Sequence, residues 1–172
     1  RYTISETDNF LSESYGIYKY SGKVTGNVYT SFANAGRKIN DEQIEIDGVI
    51  YDTPGYMYGY FLGYTVNYYV KHLSDGYELV YVEEAPKKNS VFEIDSEDIL
   101  APKTTSDRIY YNDTDDEEDY IRIDDLADVV YNNQWYRGYG SVSNVLPQNG
   151  YIKALDNDNN GIYDILFVFF LQ

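Results

Sequence analysis

The sequence predicts an all-β protein made of two small barrel- or sandwich-like halves of antiparallel strands, with at most a short N-terminal helix. Three observations carry that prediction. Tyr, Val and Ile alternate with polar residues at period two along most of the chain, the runs are punctuated by Gly, Asp-Gly and Asn-Asn, and apolar residues at helical spacing are nearly absent. With 172 residues, a hydrophobic fraction of 43%, 22 tyrosines and seven phenylalanines, the chain has the apolar bulk to bury a core.

Residues 1–14 carry only the weak helical hint Asn9-Phe10-Leu11-Ser12-Glu13, and they are expected to form a linker or one helical turn. An N-terminal β-module is expected over 15–102, beginning with a strand from Lys19 to Thr30. In Ile44-Glu45-Ile46-Asp47-Gly48-Val49-Ile50-Tyr51 the Asp-Gly pair suits a type I′ turn. That turn sets Ile46 opposite Val49 and Ile44 opposite Tyr51, all four on one face. A second hairpin, Val66 to Val82, is expected to turn at Asp75-Gly76, pairing His72 with Leu79 and Val70 with Tyr81. The tyrosines Tyr56, Tyr58, Tyr60, Tyr64, Tyr68 and Tyr69 suit a sheet face with wet hydroxyls, and exposed tyrosines also serve binding surfaces.

A strand is expected from Val91 to Ile94, followed by a breaker stretch, Ala101-Pro102-Lys103-Thr104-Thr105-Ser106, which sets the join near residue 103. The C-terminal β-module, 103–172, then has strands at Arg108 to Tyr111, Tyr120 to Ile123, Val129 to Tyr131, Tyr151 to Ala154 and Ile165 to Phe170. The acidic run Asp113 to Asp119 lies between two of these strands, where repelling carboxylates favour a solvated hairpin tip. A second, looser ion site is the other reading of that run.

Charge excludes several functions. Twenty-nine acidic against 13 basic side chains give a net charge of −16, a field that repels phosphate backbones, so no nucleic-acid partner is expected. No cysteine is present, which removes disulfides and thiolate chemistry, and the single histidine, His72, sits beside a turn where a packing or capping imidazole is expected. The apolar run Ile165 to Leu171 has strand length, so no membrane span is expected. The chain opens at Arg1 without a leader pattern and is expected to be an excised segment of something longer.

One motif carries chemistry. Asp156-Asn157-Asp158-Asn159-Asn160-Gly161-Ile162-Tyr163-Asp164 reads D-x-D-x-N-G-x-x-D. Ca2+ takes six to eight oxygens, and alternate positions of a tight loop turn carboxylates inward. Asp156, Asp158 and Asn160 would give side-chain oxygens, Ile162 its carbonyl, and Asp164 would close the site, with Gly161 permitting the turn. Phe167 stands where an EF-hand has its bidentate Glu, and the flanks read as strands, so this is a strand-loop-strand arrangement. An ordinary Asn/Asp turn between two strands is the alternative.

The loop, followed by Ile165-Leu166-Phe167-Val168, is similar to the calcium loops of FG-GAP-type and related repeats in secreted bacterial proteins. Gly22-Lys23-Val24-Thr25-Gly26-Asn27-Val28-Tyr29-Thr30, Ile46-Asp47-Gly48-Val49-Ile50-Tyr51 and Leu62-Gly63-Tyr64-Thr65-Val66 resemble β-modules of clostridial surface proteins that accompany S-layer homology segments. The resemblance implies a cell-surface or phage-borne structural role and ligand roles for Asp156, Asp158, Asn160, Ile162 and Asp164.

Trp135, Tyr136 and Tyr139 suit either an aromatic platform for sugar rings or core packing. The expected function is therefore a non-catalytic, Ca2+-stabilised structural or adhesion module of a bacterial surface protein, placed outside the cell. Its partners would be calcium and cell-wall glycan or other surface proteins. The alternatives are a carbohydrate-binding module and a phage tail or fibre component.

Overall fold

The computed structural model describes residues 12–53 and 58–171. It is all-β: 52% of the described residues are strand, and among them helix is confined to one turn at residues 12–15 and short 3-10 turns. The chain divides into two compact units, Arg1–Pro86 and Lys87–Gln172. Residues 1–11 of the expected N-terminal linker, and Tyr56, lie outside the described residues.

The first unit is an antiparallel sheet of β1 (Ile17–Gly26), β2 (Gln43–Ile46), β3 (Val49–Asp52), β4 (Thr65–Leu73) and β5 (Gly76–Glu84), in the order β3-β2-β1-β4-β5. The first strand stops at Gly26, short of the expected Thr30, because the Asn27 side chain accepts from the amides of Tyr29 and Thr30 and folds a local turn. The β2–β3 hairpin has the expected register, Ile44 opposite Tyr51 and Ile46 opposite Val49. Its Asp47 and Gly48 both take positive φ, 48° and 83°, as a type I′ turn demands. Val49, at the tip, is exposed.

The second hairpin differs from expectation. Gly76 is the first residue of β5, so the turn is Ser74-Asp75, His72 faces Tyr77 and Val70 faces Leu79. A bulge at Val80 then shifts the register to Tyr69 opposite Tyr81 and Tyr68 opposite Val82. Tyr77, Leu79 and Val82 consequently share the inner face, while Tyr81 is on the outer one. The edges β3 and β5 approach each other, so the sheet curls around Val24, Ile44, Ile46, Val66, Tyr68, Val70, Leu79 and Val82. Tyr58 and Phe61, flanking and ending the 3-10 turn Gly59–Phe61, also pack into this core.

Glu45 fastens the 27–42 loop to this sheet. Its side chain is fully buried, one oxygen accepts from the hydroxyls of Thr25 and Ser31 at 2.8 Å each, and the other meets Arg37 at 2.6 Å. Arg37 donates as well to the Gly48 carbonyl at 2.7 Å.

The second unit contains β6 (Ser90–Asp95), β7 (Arg108–Asn112), β8 (Glu118–Tyr131), β9 (Gln134–Tyr136), β10 (Gly150–Asp156) and β11 (Tyr163–Phe170), in the order β6-β10-β11-β8-β7 with β9 paired to β8. The join expected near residue 103 falls inside this unit. β6 pairs with β10 from Asp95–Tyr151 to Ser90–Asp156, and Ala101–Lys103 is a 3-10 turn tied to its own sheet through the Leu100 amide on the Tyr110 carbonyl and a Lys103–Glu118 ion pair. Breaker chemistry there serves a turn between two strands of one sheet.

The β10–β11 hairpin inserts between β6 and β8, and β11 runs parallel to β8, the one departure from the expected antiparallel pairing. The strands expected at 120–123 and 129–131 are the ends of one 14-residue strand, β8. Between them its register slips, from Ile123 opposite Tyr163 to Asp128 opposite Ile165, and Leu126 is left 90% exposed. Ile94, Ile109, Ile121, Ile123, Val129, Ile152, Ala154, Leu166 and Val168 form the core, with Val142 and Val145 packed against them. Among the described residues no helix is long and apolar enough to cross a membrane.

Candidate metal centre

The loop joining β10 to β11 is built around one carboxylate. Asp156, the last residue of β10, is buried, and its Oδ1 accepts from the amides of Asp158 and Asn160 at 3.3 Å each while its Oδ2 accepts from Gly161 at 2.8 Å. Turning successive amides toward one side chain requires left-handed backbone, and Asn159 (φ 55°) and Gly161 (φ 84°) supply it, the residue types that tolerate it best. Asp164, on the first turn of sheet in β11, accepts from the Asn157 amide at 2.9 Å and ties the loop's two ends together.

Carboxylate oxygens of Asp156, Asp158 and Asp164 all lie within 4.8 Å of one another. Two oxygens bound to one Ca2+ at about 2.3–2.6 Å can be no farther apart than about 5 Å, so this spacing suits a shared ion. Of the five residues expected as ligands, the structure thus brings three carboxylates together. Asn160 is turned the other way: its Oδ1 accepts from the Ile162 amide at 2.9 Å and its Nδ2 donates to Asp158 at 3.3 Å. A half-turn of its amide would present oxygen to the cluster at the loss of the Ile162 bond.

The electrostatics follow from this crowding. The Asp158 carboxyl is held above the ordinary carboxylate range, first by burial and then by a hydrogen bond and like charge from Asp156. Burial, with Asp156 nearby, likewise raises the Tyr163 phenol.

Comparison with protein-family models, with curated proteins and with solved structures finds no match to this chain. What the site can do rests on its own geometry.

The aromatic platform does not assemble. Trp135 and Tyr136 are neighbours on β9 and project to opposite faces, as consecutive strand residues must. Arg137 lies over the Trp135 ring at 5.1 Å, Tyr136 meets Tyr131 edge-on, and Tyr139 packs on the core with its hydroxyl donating to the Ala127 carbonyl at 2.9 Å. His72 stacks on Tyr18 at 4.2 Å and shares a hydrogen bond with the Tyr20 hydroxyl at 3.1 Å, the packing role expected for it.

The acidic run forms the loop between β7 and β8. Asp113 caps it, accepting from the amides of Asp115 and Glu117 at 2.9 Å each. Among the described residues, carboxylates converge in threes at one further place, Asp95, Glu97 and Asp98, just after β6. Sequence reasoning missed that group because Glu-Ile-Asp-Ser-Glu-Asp has no Gly or Asn to mark a loop, and only the 3-10 turn Ser96–Asp98 gathers the three. They are surface carboxylates at the end of a strand, an arrangement common without an ion.

Proposed function

We propose that the chain is a non-catalytic, extracellular structural or adhesion module of a bacterial surface protein, with a Ca2+ ion bound at the end of the β10–β11 hairpin. The observation that supports this reading is the convergence of Asp156, Asp158 and Asp164 on a space of one ion's dimensions, in a loop whose amides hold the central carboxylate in place. Asp156, Asp158 and Asp164 would bind through carboxylates, Asn160 through its amide oxygen and Ile162 through its carbonyl.

The ion's role is structural in this reading. β10 and β11 are both interior strands of the second sheet, and Leu155 and Ile165, beside the loop, are fully buried. A cation joining the last residue of one strand to the second residue of the next removes repulsion at the point where the core begins. Abundant extracellular Ca2+ and the charge of −16 suit such a module. The carbohydrate-binding alternative is the weaker reading, because Trp135 and Tyr136 project to opposite faces of β9 and so do not offer adjacent rings to one sugar.

Thermal unfolding with Ca2+, then with excess chelator, tests the ion, because a ligand held only by the native state raises stability by mass action. The expected result is a Ca2+-dependent rise in Tm that Asp158→Ala abolishes; an identical Tm in both conditions would reject the site. Assembly into ordered arrays or fibres in negative stain would move the reading toward a lattice or particle component.

A further inference from the structure

The mouth of the curled sheet in the first unit carries an aromatic pocket, lined in part by residues of the core and independent of the calcium loop. A cleft of about 220 Å³ is lined by Tyr20, Tyr51, Tyr68, Val70, His72 and Tyr77. These side chains come from β1, β3, β4 and β5, and they lie on the face that holds the core. The register explains why they meet: Tyr20 is opposite Tyr68 and His72 is opposite Tyr77. Curling of the sheet brings Tyr51 of β3 in from the far edge.

The rings do not stack as one slab. Tyr20 and Tyr68 are near-parallel at 27° with centroids 5.6 Å apart, whereas Tyr51 is tilted 54° from Tyr68 and Tyr77 stands 75° from His72. Floor and walls are therefore both aromatic. Tyr77, 72% exposed, forms the rim.

We infer that this mouth binds an organic ammonium group, with a quaternary or methylated ammonium as its preferred occupant. Aromatic faces are electron-rich and attract a cation held within about 6 Å of the ring centroid. Among the described residues no lysine or arginine lines the cleft to compete. Tyr20 shares a hydrogen bond with His72 and Tyr51 with Tyr68, which leaves ring faces and the Tyr77 hydroxyl of the rim to recognise a ligand. That arrangement disfavours a sugar, whose many hydroxyls need partners.

Charge and size agree. Asp47 acts on the Tyr68 phenol from nearby, and the whole chain is strongly acidic. Pockets for drug-sized ligands run from about 300 to 1,000 Å³, so this one fits a small headgroup. The site belongs to the first unit and rests on no property of the calcium loop.

The test is an isothermal titration of the full chain with choline, with its uncharged isostere 3,3-dimethylbutan-1-ol, and with methyl glucoside, in Ca2+ and again in chelator. Choline is expected to bind about tenfold more tightly than the neutral alcohol, the preference a few cation–π contacts give. Tyr77→Ala should weaken choline by about the same factor, whereas Tyr81→Ala, on the outer face of the same strand, should not. Both side chains are at least half exposed, so neither change threatens folding. Equal binding of choline and the alcohol, tighter binding of the glycoside, binding indifferent to Tyr77→Ala, or no binding at all would overturn the inference. Because choline binding is expected in chelator as well as in Ca2+, its failure and that of the calcium site read out separately.

Discussion

Two buried acidic positions, Glu45 in the first unit and Asp156 in the second, solve the same problem in opposite ways. Glu45 is surrounded by donors of its own chain, two hydroxyls and the Arg37 guanidinium, so its charge is neutralised within the fold. Asp156 receives three backbone amides, but two further carboxylates, Asp158 and Asp164, crowd its outer side. A closed network of protein donors fastens a loop and asks nothing of the solvent. An excess of carboxylate oxygens within an ion's reach is the arrangement whose repulsion a cation would relieve, so on the proposed reading the second unit's stability would depend on the medium and the first unit's would not.

The contrast predicts different responses to loss of charge. Glu45→Ala should destabilise the first unit by about 3 kcal/mol, since it removes one side of a buried pair and strands two hydroxyls. Urea denaturation should find the same loss with Ca2+ and with chelator. Adding Ca2+ at a hundred times its Kd should stabilise the wild-type second unit by about 2.7 kcal/mol. Asp158→Asn should remove most of that gain, yet in chelator it should leave the unit as stable as wild type or more so, because it relieves repulsion.

A pH series sharpens the point. The raised Asp158 carboxyl means that the metal-free native state holds this proton more tightly than the unfolded chain does. Its contribution is therefore full below the ordinary carboxylate range and declines as pH rises through the raised value. In chelator, Asp158→Asn should flatten that decline; with Ca2+ the slope should reverse, since the ion displaces the proton. The smallest effect is expected from Gly161→Ala. At φ 84° a Cβ is strained although no neighbouring atom obstructs it, and the variant should lose about 1 kcal/mol in chelator as in Ca2+.

Local chemistry was legible in the sequence where it was self-contained. Asp47-Gly48 set its hairpin in register because a two-residue turn with positive φ at both positions admits one pairing. Asp75-Gly76 misled because a neighbouring dipeptide, Ser74-Asp75, closes the loop equally well, and the Val80 bulge then breaks the alternation and turns Val82 inward in place of Tyr81. The join at Pro86 lies in Ala85-Pro86-Lys87-Lys88-Asn89-Ser90, whose breaker chemistry matches that of the Pro102 stretch, and the latter is a turn inside a sheet, so composition alone did not separate the two. The parallel β8–β11 pairing and the aromatic mouth arise from strands far apart in sequence, and no local pattern announces such contacts. Of the candidate ligands in the loop, the convergence of the aspartates was readable from their spacing, whereas the side-chain direction of Asn160 depends on its competing bond to the Ile162 amide.

The most direct test of the ion's role is amide hydrogen exchange, resolved residue by residue, in Ca2+ and in chelator. The account predicts that protection of Ile152, Ala154, Leu166 and Val168 in the central strands of the second sheet falls sharply when Ca2+ is removed, while Val66 and Val70 in the first unit keep theirs. Unchanged protection in the second unit, or an equal loss in both, would contradict it.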